Sequence, residues 1–346
     1  MKTIAALLTL VSATSLYAED PLQKKANILD TFYPQVKNGQ DLWISADLIL
    51  LRPSEDAIII TNHKTNLFEV NNVTLQPALD TNFRWGVGTR IGFGYLFSDH
   101  KWDMSIQWML YNASAKNKSE TNMDISKGMF PVWSLSDDII PYDWVSLAKG
   151  HWTLGINLLD LDFGRSFKWS WFLLRSYVGL RSAWIDQEFD VKYGGGVFSN
   201  GPDLVAMTNN AGYDQIDMEN NYWGLGPRIG IEPQVNLGAG FRFYGNGCIS
   251  YEVGYFYLVQ DEVYLAKVRF HEKRRPFELR WILDASAGLL WETFLCNERF
   301  ALTFKLGWEY HLFFHQFQLK KDQFGIVPSN RDLVLNGGAF SGRFSF

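Results

Sequence analysis

The 346-residue sequence predicts an all-β fold, an antiparallel transmembrane β-barrel of about ten strands. Three observations predict it. Between Phe83 and Phe97 every odd position except Thr89 is bulky and apolar, while the even positions carry Arg84, Arg90, Leu96 and four glycines. A period of two is that of a strand, here with one greasy face and one of glycine and arginine. Long polar connections alternate with short turns along the chain, as expected when one barrel rim faces outside and the other the periplasm. Aromatic residues make up 16% of the chain and there are 29 glycines, which suits aromatic girdles and close strand packing.

The N-terminus predicts the compartment. Met1 and Lys2 lead into an apolar stretch over residues 4–11, and small and polar residues follow to Ala18. This is the pattern of a secretory signal peptide, residues 1–18, cut at or near Ala18. The barrel is then expected over residues 19–346, with a periplasmic lead at 19–40. A mean hydropathy of −0.12 does not argue against a membrane protein, because barrel strands are only half apolar. A formal charge of −5 argues against nucleic acid as a partner.

The first strand is expected at residues 41–52, with Leu42, Ile44, Ala46, Leu48 and Leu50 opposite Asp47. A long loop follows at 53–81, whose pieces at 57–60 and 67–75 suit a hairpin. The second strand is the 83–97 run. After the turn at 98–100 the third strand sets Trp102, Met104, Ile106, Trp108 and Leu110 against Asp103, Ser105, Gln107 and Tyr111. In a soluble sandwich such apolar faces would meet a protein core. Their length and aromatic content favour lipid outside and a polar lumen inside.

A polar loop is expected at 112–149. The fourth strand, 151–162, carries Trp152, Leu154, Ile156 and Leu158 on one side, and the fifth, 171–186, sets Phe172, Leu174, Val178, Leu180 and Trp184 against Arg175, Tyr177, Gly179 and Arg181. A loop spans 187–220. The sixth strand alternates Trp223, Leu225, Ile229 and Ile231 with Tyr222, Arg228 and Glu232, and a turn covers 233–240. The seventh begins at Cys248 and alternates Ile249, Tyr251, Val253, Tyr255 and Tyr257 with Ser250 and Glu252. Residues 259–277 are charged and loop-like. The eighth sets Leu279, Trp281, Leu289 and Trp291 against Arg280, Asp284 and Glu292, and the ninth Phe304, Leu306, Trp308 and Tyr310 against Thr303, Lys305, Glu309 and His311. Residues 332–346 form the last strand. Further strands hidden in the loops would raise the count to twelve to sixteen.

The inward charges are the candidate lumen lining: Arg84, Arg90, Asp103, Arg175, Arg181, Arg228, Glu232, Glu252, Arg280, Asp284, Glu292, Lys305, Glu309 and Arg343. An isolated charge on the lipid face costs ~2–4 kcal/mol at the midplane, so these belong inside. Two readings of them stay open. They line a channel that selects passing solutes, or they form a salt-bridge network that fills a narrow barrel.

Catalytic chemistry finds little support. His311 with Glu309 and His151 with Asp160 offer acid–base pairs, but both follow from strand alternation and no nucleophile accompanies them. There is no G-x-S-x-G and no H-E-x-x-H, and the Gly86-x-Gly88 and Gly224-x-Gly226 pairs lie inside strands with no helix after them. No catalytic, cofactor or metal residues are assigned. Cys248 and Cys296 both fall near the periplasmic rim on neighbouring strands, which makes a disulfide one hypothesis, beside two free thiols or links to other envelope proteins. Lys273, Arg274 and Arg275 fall in an outer loop, either as a solvated run or as a contact for lipopolysaccharide phosphates.

Several stretches resemble the Legionella major outer membrane protein family. They are Phe83-Arg84-Trp85-Gly86-Val87-Gly88-Thr89-Arg90-Ile91-Gly92-Phe93-Gly94-Tyr95, then His100-Lys101-Trp102-Asp103, Trp108 and Tyr111, and later Tyr222-Trp223-Gly224-Leu225-Gly226-Pro227-Arg228-Ile229-Gly230. The aromatic C-terminus, Phe346 with Phe344 and Phe340, is also similar. The resemblance implies a porin-like barrel integral to the bacterial outer membrane, and no catalytic residues. The expected function is passive diffusion of small polar solutes through a charged lumen. The alternatives are a closed structural or adhesive barrel acting through its loops, and a barrel hydrolase. Expected partners are outer-membrane lipid and lipopolysaccharide, the solutes, the assembly machinery through Phe346, and a second copy in a homo-oligomer.

Overall fold

The computed structural model describes residues 32–34, 36, 41–55, 61–63, 76–77, 83–97, 101–120, 129–131, 133, 145–200, 203–207, 213–264, 267–319 and 331–346. The expected signal peptide and most of the expected 19–40 lead lie outside these, as do the 57–60 and 67–75 pieces of the expected hairpin.

Ten long strands build the molecule: β1 (Leu42–Glu55), β2 (Gly86–Leu96), β3 (Trp102–Glu120), β4 (Leu147–Lys168), β5 (Phe172–Gly194), β6 (Tyr213–Gly238), β7 (Phe241–Tyr264), β8 (Phe277–Leu295), β9 (Phe300–Phe317) and β10 (Arg331–Ser345). Neighbours in sequence pair antiparallel, and β1 closes on β10 with Trp43 opposite Ser345 and Glu55 opposite Leu333. The closed ring leaves no unpaired sheet edge, the condition for sheet to exist in hydrocarbon. Among the described residues there is no helix.

The expected strand order is confirmed, but several loops are strand. β5 runs on to Gly194 and β6 starts at Tyr213, so most of 187–220 is barrel wall, topped by a hairpin of Gly196–Asn200 and Asp203–Met207. The turn expected at 233–240 narrows to Ala239 and Gly240, both with positive φ. The charged 259–277 run continues β7 to Tyr264 and returns as Lys267–Arg274, an outer extension of β8. Polar alternation in these stretches still supports a ladder, because the wall has left the membrane there. Thr61–His63, Gln76–Pro77 and Met129–Pro131 form a small separate sheet.

The faces of the strands explain their length. In the inner part, alternation is lipid-type: Ile91, Phe93, Val178, Leu180, Ile229, Leu289 and Leu306 are exposed on the outer wall. Towards the outer rim the polarity inverts. Trp152, Leu154, Ile156 and Leu158 of β4 face inward and are buried, whereas the lower Leu161 and Phe163 face out. The apolar side of β4 therefore meets a protein core, where lipid had been expected for an apolar face. That core also holds Ile49, Leu51, Ile185, Phe189, Val191, Ile216, Met218, Phe256 and Phe313. Hydrophobic burial stabilises a barrel in water only if its apolar residues point inward, and beyond the bilayer this wall is in water.

Candidate functional site in the lumen

The interior has three layers. At the outer end the apolar core is capped from the β3–β4 connection: Met129, Trp133 and Val145 are fully buried, and the Trp133 ring sits edge-on to Phe189 and Phe317 at 5.7 and 5.9 Å. Just beneath it, Gln187 donates to Glu55 at 3.0 Å and Asn220 donates to Gln187 and to the Gln316 carbonyl.

The middle layer is ionic. Arg181 on β5 grips Asp160 on β4 through two bonds of 2.7 and 2.8 Å and reaches Asp284 on β8 at 2.6 Å. Arg228 on β6 lies 2.5 Å from the same Asp160 and 3.2 Å from Asp162. His311 on β9 bridges Asp284 at 2.8 Å and Glu309 at 3.2 Å. Glu309 takes Arg90 of β2 in a fork of 2.7 and 3.1 Å, and Arg90 also binds Asp47 of β1. The chain Asp47–Arg90–Glu309–His311–Asp284–Arg181–Asp160–Arg228 thus crosses the lumen instead of lining it. Two cavities of about 70 and 100 Å³ flank this network, each sharing Arg90, Arg228 and Glu309, room for only a few waters.

The inner mouth holds a second aromatic cluster. Tyr33 stacks on Trp43 at 5.8 Å, and the Arg343 guanidinium lies over both rings at 4.8 and 4.3 Å. Arg242 donates to the Phe32 carbonyl and to Gln234, and lies 3.4 Å from Glu292. Arg175 donates to both oxygens of Asp103 and to Glu232. Gly94 makes room for this cluster, since a Cβ there would come within 2.2 Å of the Trp43 ring.

Of the candidate lumen residues, all face the interior except Arg84. It precedes β2 and is exposed at the rim, because the ladder starts only at Gly86. Glu252 and Arg280 are buried in the outer layer, Glu252 beside Ser250 and Arg280 beside Glu278 and the Phe256 ring. Lys305 faces inward over Tyr244. Arg242, Asp160, Asp162 and the Phe32–Tyr33 segment were not among the candidates. An earlier start for β7, signalled by Phe241 and Phe243 around Arg242, would have revealed the first.

Two pairings that the sequence offered as hypotheses do not form. His151 sits on the outer wall near Asp190, while Asp160 points inward to Arg181. The disulfide is also corrected. β7 begins at Phe241, so Cys248 lies well inside the barrel, accepting from Arg228 at 3.3 Å, whereas Cys296 is exposed in the turn after β8; both are free. His311 and Glu309 do meet, but arginines hold their carboxylate partners. Among the described residues no group of His, Cys, Asp and Glu has the geometry of a metal site.

Solved structures with overlapping folds include the outer membrane protease OmpT of Escherichia coli. It is 11% identical, with 88% of this chain and 96% of that one covered and a TM-score of 0.38. A TodX monoaromatic hydrocarbon channel mutant overlaps at 7% identity, 95% coverage of each chain and a TM-score of 0.31. A Pseudomonas aeruginosa FadL homologue does so at 6% identity, 88% and 89% coverage and 0.28. Overlap at this level says nothing of what the present chain does. No curated protein matches it. A family model described as the Legionella pneumophila major outer membrane protein precursor matches residues 33–346, nearly the whole chain. The ten-strand barrel in the bacterial outer membrane therefore belongs to the Legionella pneumophila major outer membrane protein family.

Proposed function

We propose that this outer-membrane barrel is a sealed, non-enzymatic structural barrel that presents its outer connections at the cell surface. The observation that carries this reading is the lumen-crossing ion network, in which the inward arginines are consumed by carboxylates between two aromatic seals. A permeating ion would have to break buried pairs whose rupture costs several kcal/mol each. The capture of Asp284 and Glu309 by arginine supports a non-catalytic lumen.

The porin reading, passive diffusion of small polar solutes, is the second. It is supported by the charged middle layer and its two cavities, which share a wall at Arg90 and Arg228. Planar-bilayer recording separates the two. The sealed barrel gives no discrete conductance steps in concentrated salt at moderate voltage. Regular, reproducible steps from the refolded wild-type protein would establish the porin reading and remove the sealed one.

A further inference from the structure

The outer extension of β8 puts cations on the lipid-facing side of the wall. Side chains alternate along it, so Lys273 and Arg275 share the outward face with Phe277, Leu279 and Trp281, all three exposed. The order along this face, from the outer end inward, is Lys273, Arg275, Phe277, Leu279, Trp281. Cation gives way to hydrocarbon-type surface within two residues, which is the profile of the polar–apolar boundary of a membrane.

Both cations rest on aromatic rings of the neighbouring strand. Lys273 Nζ lies 4.8 Å from the Tyr257 ring centre and the Arg275 guanidinium 5.3 Å from that of Tyr255. Tyr255 packs against Phe277 at 4.9 Å. Stacking of this kind holds long, flexible side chains against the wall and lowers the entropy lost on binding.

The charges around them are matched elsewhere. Arg274 pairs with Glu272 at 3.1 Å, and His271 pairs with Asp261. Glu219 and Asp261 act on Lys273 only through space. Among the described residues neither Lys273 nor Arg275 has a carboxylate within ion-pair distance. This edge faces the outer leaflet, because the long connections rise from the same end and both chain ends of the barrel meet at the other.

We propose that Lys273 and Arg275, set above the ledge of Tyr255, Tyr257 and Phe277, bind the phosphates of the outer-leaflet glycolipid, the diphosphorylated lipid A of lipopolysaccharide. The cations take the phosphates, and the aromatic ledge lies against the sugar–acyl junction. A guanidinium suits phosphate through its forked donors, and both charges face a leaflet whose headgroups carry phosphate on a rigid disaccharide.

The test titrates the full-length folded barrel in detergent with diphosphoryl lipid A and follows binding by native mass spectrometry. Folding of each variant is verified by its heat-shifted gel mobility. The double variant K273Q/R275Q is expected to bind about tenfold more weakly or worse, and K273R/R275K to bind as wild type does. Lipid A stripped of both phosphates should bind wild type as weakly as intact lipid A binds the glutamine variant. Should the double variant fail to fold, R275Q alone carries the same expectation in smaller degree. Equal binding by wild type and the glutamine variants overturns the site. Phosphatidylglycerol binding as tightly as lipid A, with the same dependence on both residues, overturns the assignment to lipid A.

Discussion

Arg181 shows what a single residue does in this lumen. Its guanidinium is almost fully buried and is held by Asp160 and Asp284, carboxylates on strands that lie apart in the ring. Replacing it with Met removes one cation from a buried set, leaving Asp160 with Arg228 and Asp284 with His311 as their remaining partners. Breaking one side of such a buried set costs about 3–5 kcal/mol. Arg181→Met should therefore lower the urea-unfolding free energy in lipid vesicles by that amount, while Arg84→Met, at the exposed rim, stays within about 0.5 kcal/mol. Equal effects of the two would mean the network contributes nothing. Alternation alone revealed that Arg181, Arg90 and Asp284 point inward, since a charge on the lipid wall is costly. Which carboxylate each arginine meets was not legible. Arg90 and Glu309 are separated by 219 positions, and only the curvature of a ten-strand ring makes them neighbours.

Elements were legible wherever the strand lies in lipid and ambiguous wherever it leaves. β2 shows the first case, with Ile91 and Phe93 outward and its glycines inward as the pattern requires. β4 shows the second: its apolar row, Trp152 to Leu158, has the same period as a lipid-facing row but the opposite direction. A period-two pattern states that two faces differ and is silent on which solvent each one meets. The same blindness made strand wall look like loop at 187–194 and 267–274, where charged residues face water on the outside. Thr153, next to Trp152, lies on the water-facing wall. Trp152→Ala should accordingly cost about 3–5 kcal/mol, as for a large aromatic removed from a packed core, and Thr153→Ala about 0.5 kcal/mol or less. A small loss for Trp152→Ala, comparable to that of Thr153→Ala, would show that the inner face of β4 is not packed.

At the scale of the whole molecule, the inversion of polarity fixes how the barrel stands in its membrane. β5 has 23 residues. At ~3.3 Å per residue and a tilt of ~40° it climbs about 58 Å, against an apolar band of ~25 Å, so roughly half of it stands outside the hydrocarbon. The surface agrees: Val178, Leu180 and Trp184 are exposed apolar residues, and above them Asp186, Glu188 and Lys192 take the same outward positions. The part in water keeps its shape by burying an apolar core, and the part in lipid by satisfying charges internally, so each section is filled with what its surroundings lack. Nitroxide labels at Leu180→Cys and Lys192→Cys, in a Cys296→Ser background, test this division. Collisions with dissolved oxygen should dominate at position 180, which lies in hydrocarbon, and collisions with a water-soluble nickel chelate at position 192. If both positions favour oxygen, the bilayer reaches the rim. The inward apolar layer would then have lipid on its outer side, and the solvent-driven inversion that explains this architecture would be wrong.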